Sequence, residues 1–196
     1  VAFEIAVVGT SWGGLAALHQ LFAALPSSFQ LPIVVVQHRH KDSGPFLPRV
    51  LQDDTRLCVC EVEDKAPIVG GNVYIAPANY HVLVERGHLA LSTDEPVAFS
   101  RPSIDVTFVS AADAYRESAV GVVLTGANAD GARGLKRIAD RGGLAIVQRP
   151  DTAESPTMPA AALKSVPGAR SLTLAEIAAT LSSLAIQPAT QQRAAT

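Results

Sequence analysis

The chain has 196 residues, 48% hydrophobic and 17% charged, with a formal net charge of -2. That is the length of one domain, with enough apolar material for a sizeable core, and it excludes an intrinsically disordered chain. The near-neutral balance excludes a general nucleic-acid binder, and no apolar run approaches the roughly 18 residues of a membrane-spanning helix.

The chain opens with a short apolar run at residues 3–8 that stops at Gly9, the pattern of a strand buried on both faces. Residues 13–25 carry Leu15, Leu18, Leu21, Phe22 and Leu25 at helical spacing and stop at Pro26. A β-branched strand is predicted at 33–36, ending at Gln37-His38, then a helix at 44–52 and a third strand at 57–62. The middle of the chain changes character. Residues 72–76, 81–85 and 88–92 are short alternating segments, and the two residues Arg86-Gly87 between the last pair predict an antiparallel hairpin. A helix follows at 102–115, with Pro102 near its first turn and Ser103 as its cap. A strand at 120–124, a helix at 131–140, a strand at 144–147 and late helices at 159–164 and 174–184 complete the pattern.

Strands alternating with helices predict an α/β fold: a doubly wound, mainly parallel sheet with helices on both faces and a small antiparallel hairpin insert. One domain is expected over residues 1–184, with residues 185–196 an aperiodic tail that frays. Cys58 and Cys60 fall on one face of a strand, too close in sequence for an unstrained disulfide and without a second ligand pair at zinc spacing. Sparse cysteines and a start that lacks the pattern of a signal peptide fit a cytoplasmic setting.

Such sheets keep their chemistry in the loops beyond the carboxyl ends of the strands. The first strand ends in Gly9-Thr10-Ser11-Trp12-Gly13-Gly14, which matches G-x-S-x-G. That turn lifts a hydroxyl clear of the sheet, and the helix N-terminus behind it offers free N–H groups to a developing oxyanion. The plain alternative is a turn whose serine caps the helix. A dinucleotide fingerprint is disfavoured because Ser11 stands where the second glycine would approach a pyrophosphate. The second strand ends at His38, a candidate base for Ser11, with His40 its nearest rival and His19 placed within the first helix, away from the turn. The third ends in Thr125-Gly126-Ala127-Asn128-Ala129-Asp130-Gly131. Asp130 can orient His38, cap the following helix, or do both; Asp105 and Asp151 are weaker candidates.

These residues resemble the catalytic domain of the chemotaxis protein-glutamate methylesterases, the CheB family, over nearly the whole chain. The family pattern G-[AT]-S-x-G-G is met at residues 9–14 and the strand ending in Gln-His at 34–38. Tyr-Ile-Ala-Pro is met at 74–77, Arg-Pro-Ser-[IV]-Asp at 101–105, Leu-Thr-Gly then Asp-Gly-Ala at 124–132, and Met-Pro at 158–159. The resemblance implies a serine hydrolase that demethylates γ-glutamyl methyl esters on the cytoplasmic helices of chemoreceptors and deamidates receptor glutamines. It implies Ser11, His38 and Asp130 as a triad working without metal or cofactor. It also implies methyl-accepting chemoreceptors as partners and a receiver domain in cis or in trans, with no nucleic acid and no membrane insertion. The oxyanion is expected on backbone N–H groups at Trp12 and near Ala127, beside Gly13.

The sequence departs from that pattern in the loops that would line the cleft. Trp12 stands where the family often has Thr or Ala, and Gly-Met-Gly-x-Asp reads here as Gly126-Ala127-Asn128-Ala129-Asp130. The loop after His38 is longer and charged, and its Arg39 and Lys41 are expected to help docking. Two other functions fit the residues: an esterase of the same fold with another substrate, and a catalytically weak docking module.

Overall fold

The computed structural model describes residues 2–185; of the tail expected over 185–196, Ala185 ends the last helix and 186–196 lie outside the described residues. Seven strands form one parallel sheet: β1 (Ile5–Thr10), β2 (Ile33–Gln37), β3 (Cys58–Glu61), β4 (Asn72–Ile75), β7 (Ala119–Val123), β8 (Leu144–Gln148) and β9 (Arg170–Leu172). Their order is β3-β4-β2-β1-β7-β8-β9. The predicted hairpin is a separate two-stranded antiparallel sheet of β5 (His81–Glu85) and β6 (His88–Ser92), turning through Arg86 and Gly87. Six α-helices, α1 (Gly14–Ala23), α2 (Leu47–Gln52), α3 (Ile104–Tyr115), α4 (Ala132–Asp140), α5 (Thr157–Ser165) and α6 (Leu174–Ala185), and two short 3-10 helices, Arg116–Ser118 and Pro150–Thr152, complete the described residues. None of them is long and apolar enough to cross a membrane.

Alternation along the central strands splits the core into two layers. Ile5 and Val7 of β1 pack with Phe108 of α3 and Leu135 and Ile138 of α4. Ala6 and Val8 turn to the other face, against Leu18, Leu21 and Phe22 of α1 and Ile177 and Leu181 of α6. All residues of β1 and β7 are buried, as a strand covered on both sides requires. The hairpin is tied to α3: Thr107 Oγ1 donates to the Val82 carbonyl at 2.8 Å, and the Val84 N–H donates to Ser110 Oγ at 3.0 Å.

From β1 the chain adds β2, then the edge strand β3, then β4 between those two, and crosses back to β7, β8 and β9 on the other side of β1. The strand order therefore reverses at β1, and a crevice opens there at the carboxyl edge. Two strands differ from expectation. The segment at 72–76, read only as a short alternating segment, supplies a strand of the main sheet, seated between β2 and β3. The edge strand β9 was not foreseen; its Arg170 and Ser171 are exposed and carry no apolar pattern. Cys58 is exposed and Cys60 half-buried on β3, both free. Burial, reinforced by Cys58 and Glu63, raises the Cys60 thiol above its usual range, so it is not an activated thiolate.

Helices α3 and α4 meet at Gly134, where a Cβ would lie 2.4 Å from Phe108 Cβ and 3.1 Å from the Asp105 carbonyl oxygen. Alanine there must push the helices apart, which outweighs its better helix propensity. Gly134→Ala is expected to lower unfolding free energy by about 1–3 kcal/mol in urea titration, and an unchanged or raised midpoint would refute the close approach.

Candidate active site

Three loops converge at the reversal: those after β1, β2 and β7. Backbone and side-chain hydrogen bonds stitch these loops together. The Ser11 N–H donates to the Thr125 carbonyl at 3.0 Å and the His38 N–H to the Thr10 carbonyl at 3.0 Å. Thr10 Oγ1 donates to the same Thr125 carbonyl at 2.8 Å, and Thr125 Oγ1 donates to the Trp12 carbonyl at 2.9 Å. Gln37, which the sequence did not single out, donates its Nε2 to the carbonyls of Ser11 and His38, both at 2.9 Å. The turn carrying Ser11 is thus held from both neighbouring strands.

Ser11 and His38 line one cleft of about 550 Å³ with Trp12, Gly13, Gln37 and Glu154. Gly13 sits at φ 76°, and a Cβ on it would come within 2.7 Å of Glu154, so the turn needs glycine. Trp12 is 67% exposed and stands on the cleft wall. Helix α1 has neither a side-chain cap nor an acidic residue in its first turn. Among the described residues the N–H groups of Trp12, Gly13 and Ala127 donate to no protein acceptor. Uncapped donors at a helix N-terminus favour negative charge.

His38 Nε2 lies 2.7 Å from Asp130 Oδ2, with the side chains 12% and 2% exposed. Asp130 accepts three further hydrogen bonds: from Ser103 Oγ at 3.0 Å, the Ile104 N–H at 2.7 Å and the Asp105 N–H at 2.9 Å. Burial works against its charge, but His38 and the two N–H donors outweigh burial and hold the carboxyl below its ordinary range. An ionised carboxylate only accepts, so the proton of this contact belongs to Nε2, and Nδ1 is the ring nitrogen left as an acceptor.

The caps differ from expectation in an informative way. Asp130 caps α3, not the helix that follows it. The helix that follows, α4, is capped by Asp105, which accepts the N–H of Gly131 at 3.1 Å and of Gly134 at 2.6 Å. Burial raises the Asp105 carboxyl, with nearby Asp130 adding to it, despite opposing contributions from Gly134, Arg133 and Gly131. Ser103 stands at the α3 N-cap but makes no cap bond to its own helix; its hydroxyl serves Asp130. Its N–H donates at 3.1 Å to Nδ1 of His81, which is buried and whose Nε2 meets the Glu95 carbonyl at 3.1 Å.

The rival residues have other partners. His40 is 74% exposed and faces Asp42, and Asp151 pairs with Arg149 at the surface. His19 lines the Ser11 cleft, closer to the turn than its place within the helix suggested, and contacts Asp54. Arg39 corrects a further expectation. Its side chain is 9% exposed, and its guanidinium donates to Glu61 at 3.2 Å and to the Ala76 carbonyl at 3.0 Å. It anchors its loop rather than offering a free charge, whereas Lys41 is exposed beside His38 on a second cleft of about 350 Å³. Ser11 and His38 share a cleft, but among the described residues Ser11 Oγ makes no hydrogen bond to His38.

Known proteins match most of the chain. The family profile described as CheB methylesterase matches residues 6–181. A Leptospira interrogans protein, provisionally named protein-glutamate methylesterase/protein-glutamine glutaminase, is 44% identical over 177 residues, 90% of this chain and 92% of its own length. A protein-glutamate methylesterase/protein-glutamine glutaminase of Archaeoglobus fulgidus is 38% identical over 162 residues, 81% of this chain but 46% of that protein. The crystal structure of the Thermotoga maritima CheB methylesterase catalytic domain superposes with a TM-score of 0.89 at 30% identity, covering 94% of this chain and all of that one.

The four bonds to Asp130 carry a pH signature. A carboxyl held below its unfolded value adds stability that is complete above that value and is lost as pH falls through the folded value. Asp130→Asn is expected to cost about 1–3 kcal/mol at neutral pH. The gap to the parent protein should still be present at about pH 5 and close as pH falls below about 4, read by urea unfolding at each pH. A gap that persists undiminished well below about pH 4 would refute the ionised hub.

Proposed function

The chain belongs to the CheB methylesterase family, and from that premise we propose that it hydrolyses γ-glutamyl methyl esters of chemoreceptors with Ser11 as nucleophile, His38 as base and Asp130 as the orienting acid. The observation that carries this reading is the His38–Asp130 pair at 2.7 Å beside a cleft shared by His38 and Ser11.

His38 Nδ1 takes the proton of Ser11 as Oγ attacks the ester carbonyl. Nδ1 is assigned because Nε2 is committed to Asp130. The tetrahedral oxyanion is assigned to the free N–H groups of Trp12 and Ala127, each donor contributing about 2.7–4 kcal/mol in sites of this kind. The imidazolium then gives its proton to the departing methoxide, and methanol leaves an acyl-serine. Water deprotonated by His38 opens the acyl-enzyme to the free glutamate. Asp130 stays ionised throughout and stabilises the imidazolium. The same steps with ammonia as the leaving group deamidate a glutamine. The receptor helices that would be acted on are cytoplasmic, which places the enzyme there.

A receptor helix has to reach a recessed serine, and the surface around it suits that task. Trp12 and Phe99, 67% and 104% exposed, stand on the two clefts that meet at His38, and Lys41 lines the same cleft as Phe99. Aromatic faces give apolar contact at low entropic cost, and Lys41 adds attraction for acidic residues beside the ester.

Ser11→Ala is expected to abolish release of labelled methanol from methylated receptor, with an unchanged far-ultraviolet spectrum and melting temperature. Full turnover by that variant would rule out the serine mechanism.

A further inference from the structure

Asn128 stands where the family pattern has glycine, and the structure gives its side chain two partners. Its Oδ1 accepts the Asp130 N–H at 3.1 Å, an Asx turn that fixes which end of the amide is oxygen. The other end, Nδ2, therefore faces His38, and it lies 3.3 Å from Nδ1. Nε2 carries the proton given to Asp130, so Nδ1 presents a lone pair and the amide donates into it. That lone pair is the one Ser11 needs under the mechanism above.

We propose that Asn128 is a brake on the nucleophile: its amide occupies the His38 nitrogen that must take the proton of Ser11, so the resting site restrains its own serine. The inference rests on the proposed triad and adds a residue that sets its rate. Three observations support it. Ser11 Oγ makes no hydrogen bond to His38 among the described residues, while the Asn128 amide does. Asn128 is exposed, so its amide can swing clear without disturbing the core, which makes the contact a brake and not a block. Its other anchor is the backbone N–H of Asp130, so the brake and the orienting acid share one short loop. Displacing one solvent-accessible hydrogen bond should slow proton transfer by about twofold to tenfold.

The test uses the full chain and a fluorophosphonate probe. In labelling, Ser11 Oγ passes its proton to His38 Nδ1, the Oγ–P bond forms, the P–F bond breaks and fluoride leaves. Asn128→Gly removes the amide. Asn128→Ser keeps an acceptor for the Asp130 N–H but is too short to reach the ring. Both variants are expected to label about twofold to tenfold faster than the parent, and to raise kcat on methylated receptor with KM unchanged. A labelling rate that is equal or lower in both overturns the brake, as does acceleration by glycine alone, which would assign the effect to backbone freedom. A parent protein that does not label, or that labels equally well as Ser11→Ala, overturns the underlying triad and the brake with it.

Discussion

One buried carboxylate holds the site together. Asp130 takes hydrogen bonds from an imidazole, a hydroxyl and two backbone N–H groups, and so joins the loop after β7 to the start of α3 and to the end of β2. A carboxylate at that depth is costly to ionise, and only this set of donors makes the charged form the favoured one. Asp105 repeats the arrangement in reverse, capping α4 from α3. Each helix thus supplies the cap that the other lacks. The two N-termini are locked at one separation, and that separation fixes where the imidazole sits.

The parallel sheet explains why the three loops can meet at all. Because the strand order reverses at β1, the ends of β2 and β7 flank it, in register at Thr10↔Gln37 and Gly9↔Val123. Every residue of β1 and β7 is buried, so the scaffold is set by packing on both faces and the loops are free to carry polar work. The polar bonds among Thr10, Thr125, Gln37 and the neighbouring carbonyls then remove the slack that loops would otherwise have. The proposed alignment of Ser11 needs this support as much as it needs the reacting groups.

Much of this was legible in the chain. Apolar β-branched runs ending in Gly or in Gln-His marked β1, β2 and β7, and their ends named Ser11, His38 and Asp130. What stayed hidden is what depends on pairing across sequence. The place of β4 inside the sheet cannot be read from its four residues, and β9 is too short and polar to announce itself. Ser103 and Asp130 both looked like caps of their own helices, which local rules suggest; the caps are exchanged between helices instead. Arg39 read as a surface charge because nothing local shows that Glu61 and the Ala76 carbonyl wait for it. Gln37 and Ser103 stand within matched motifs and Asn128 departs from one, but each acts on a partner 26 to 90 residues away that no local pattern names.

The central claim is that Asp130 fixes His38 with the proton on Nε2 and the lone pair on Nδ1. Nitrogen-15 NMR of the protein labelled at histidine reads this directly. The account predicts that the neutral His38 ring shows a protonated Nε2 and a bare Nδ1, and that this tautomer preference is lost in Asp130→Ala. A proton found on Nδ1, or a ring that does not respond when Asp130 is removed, would contradict it.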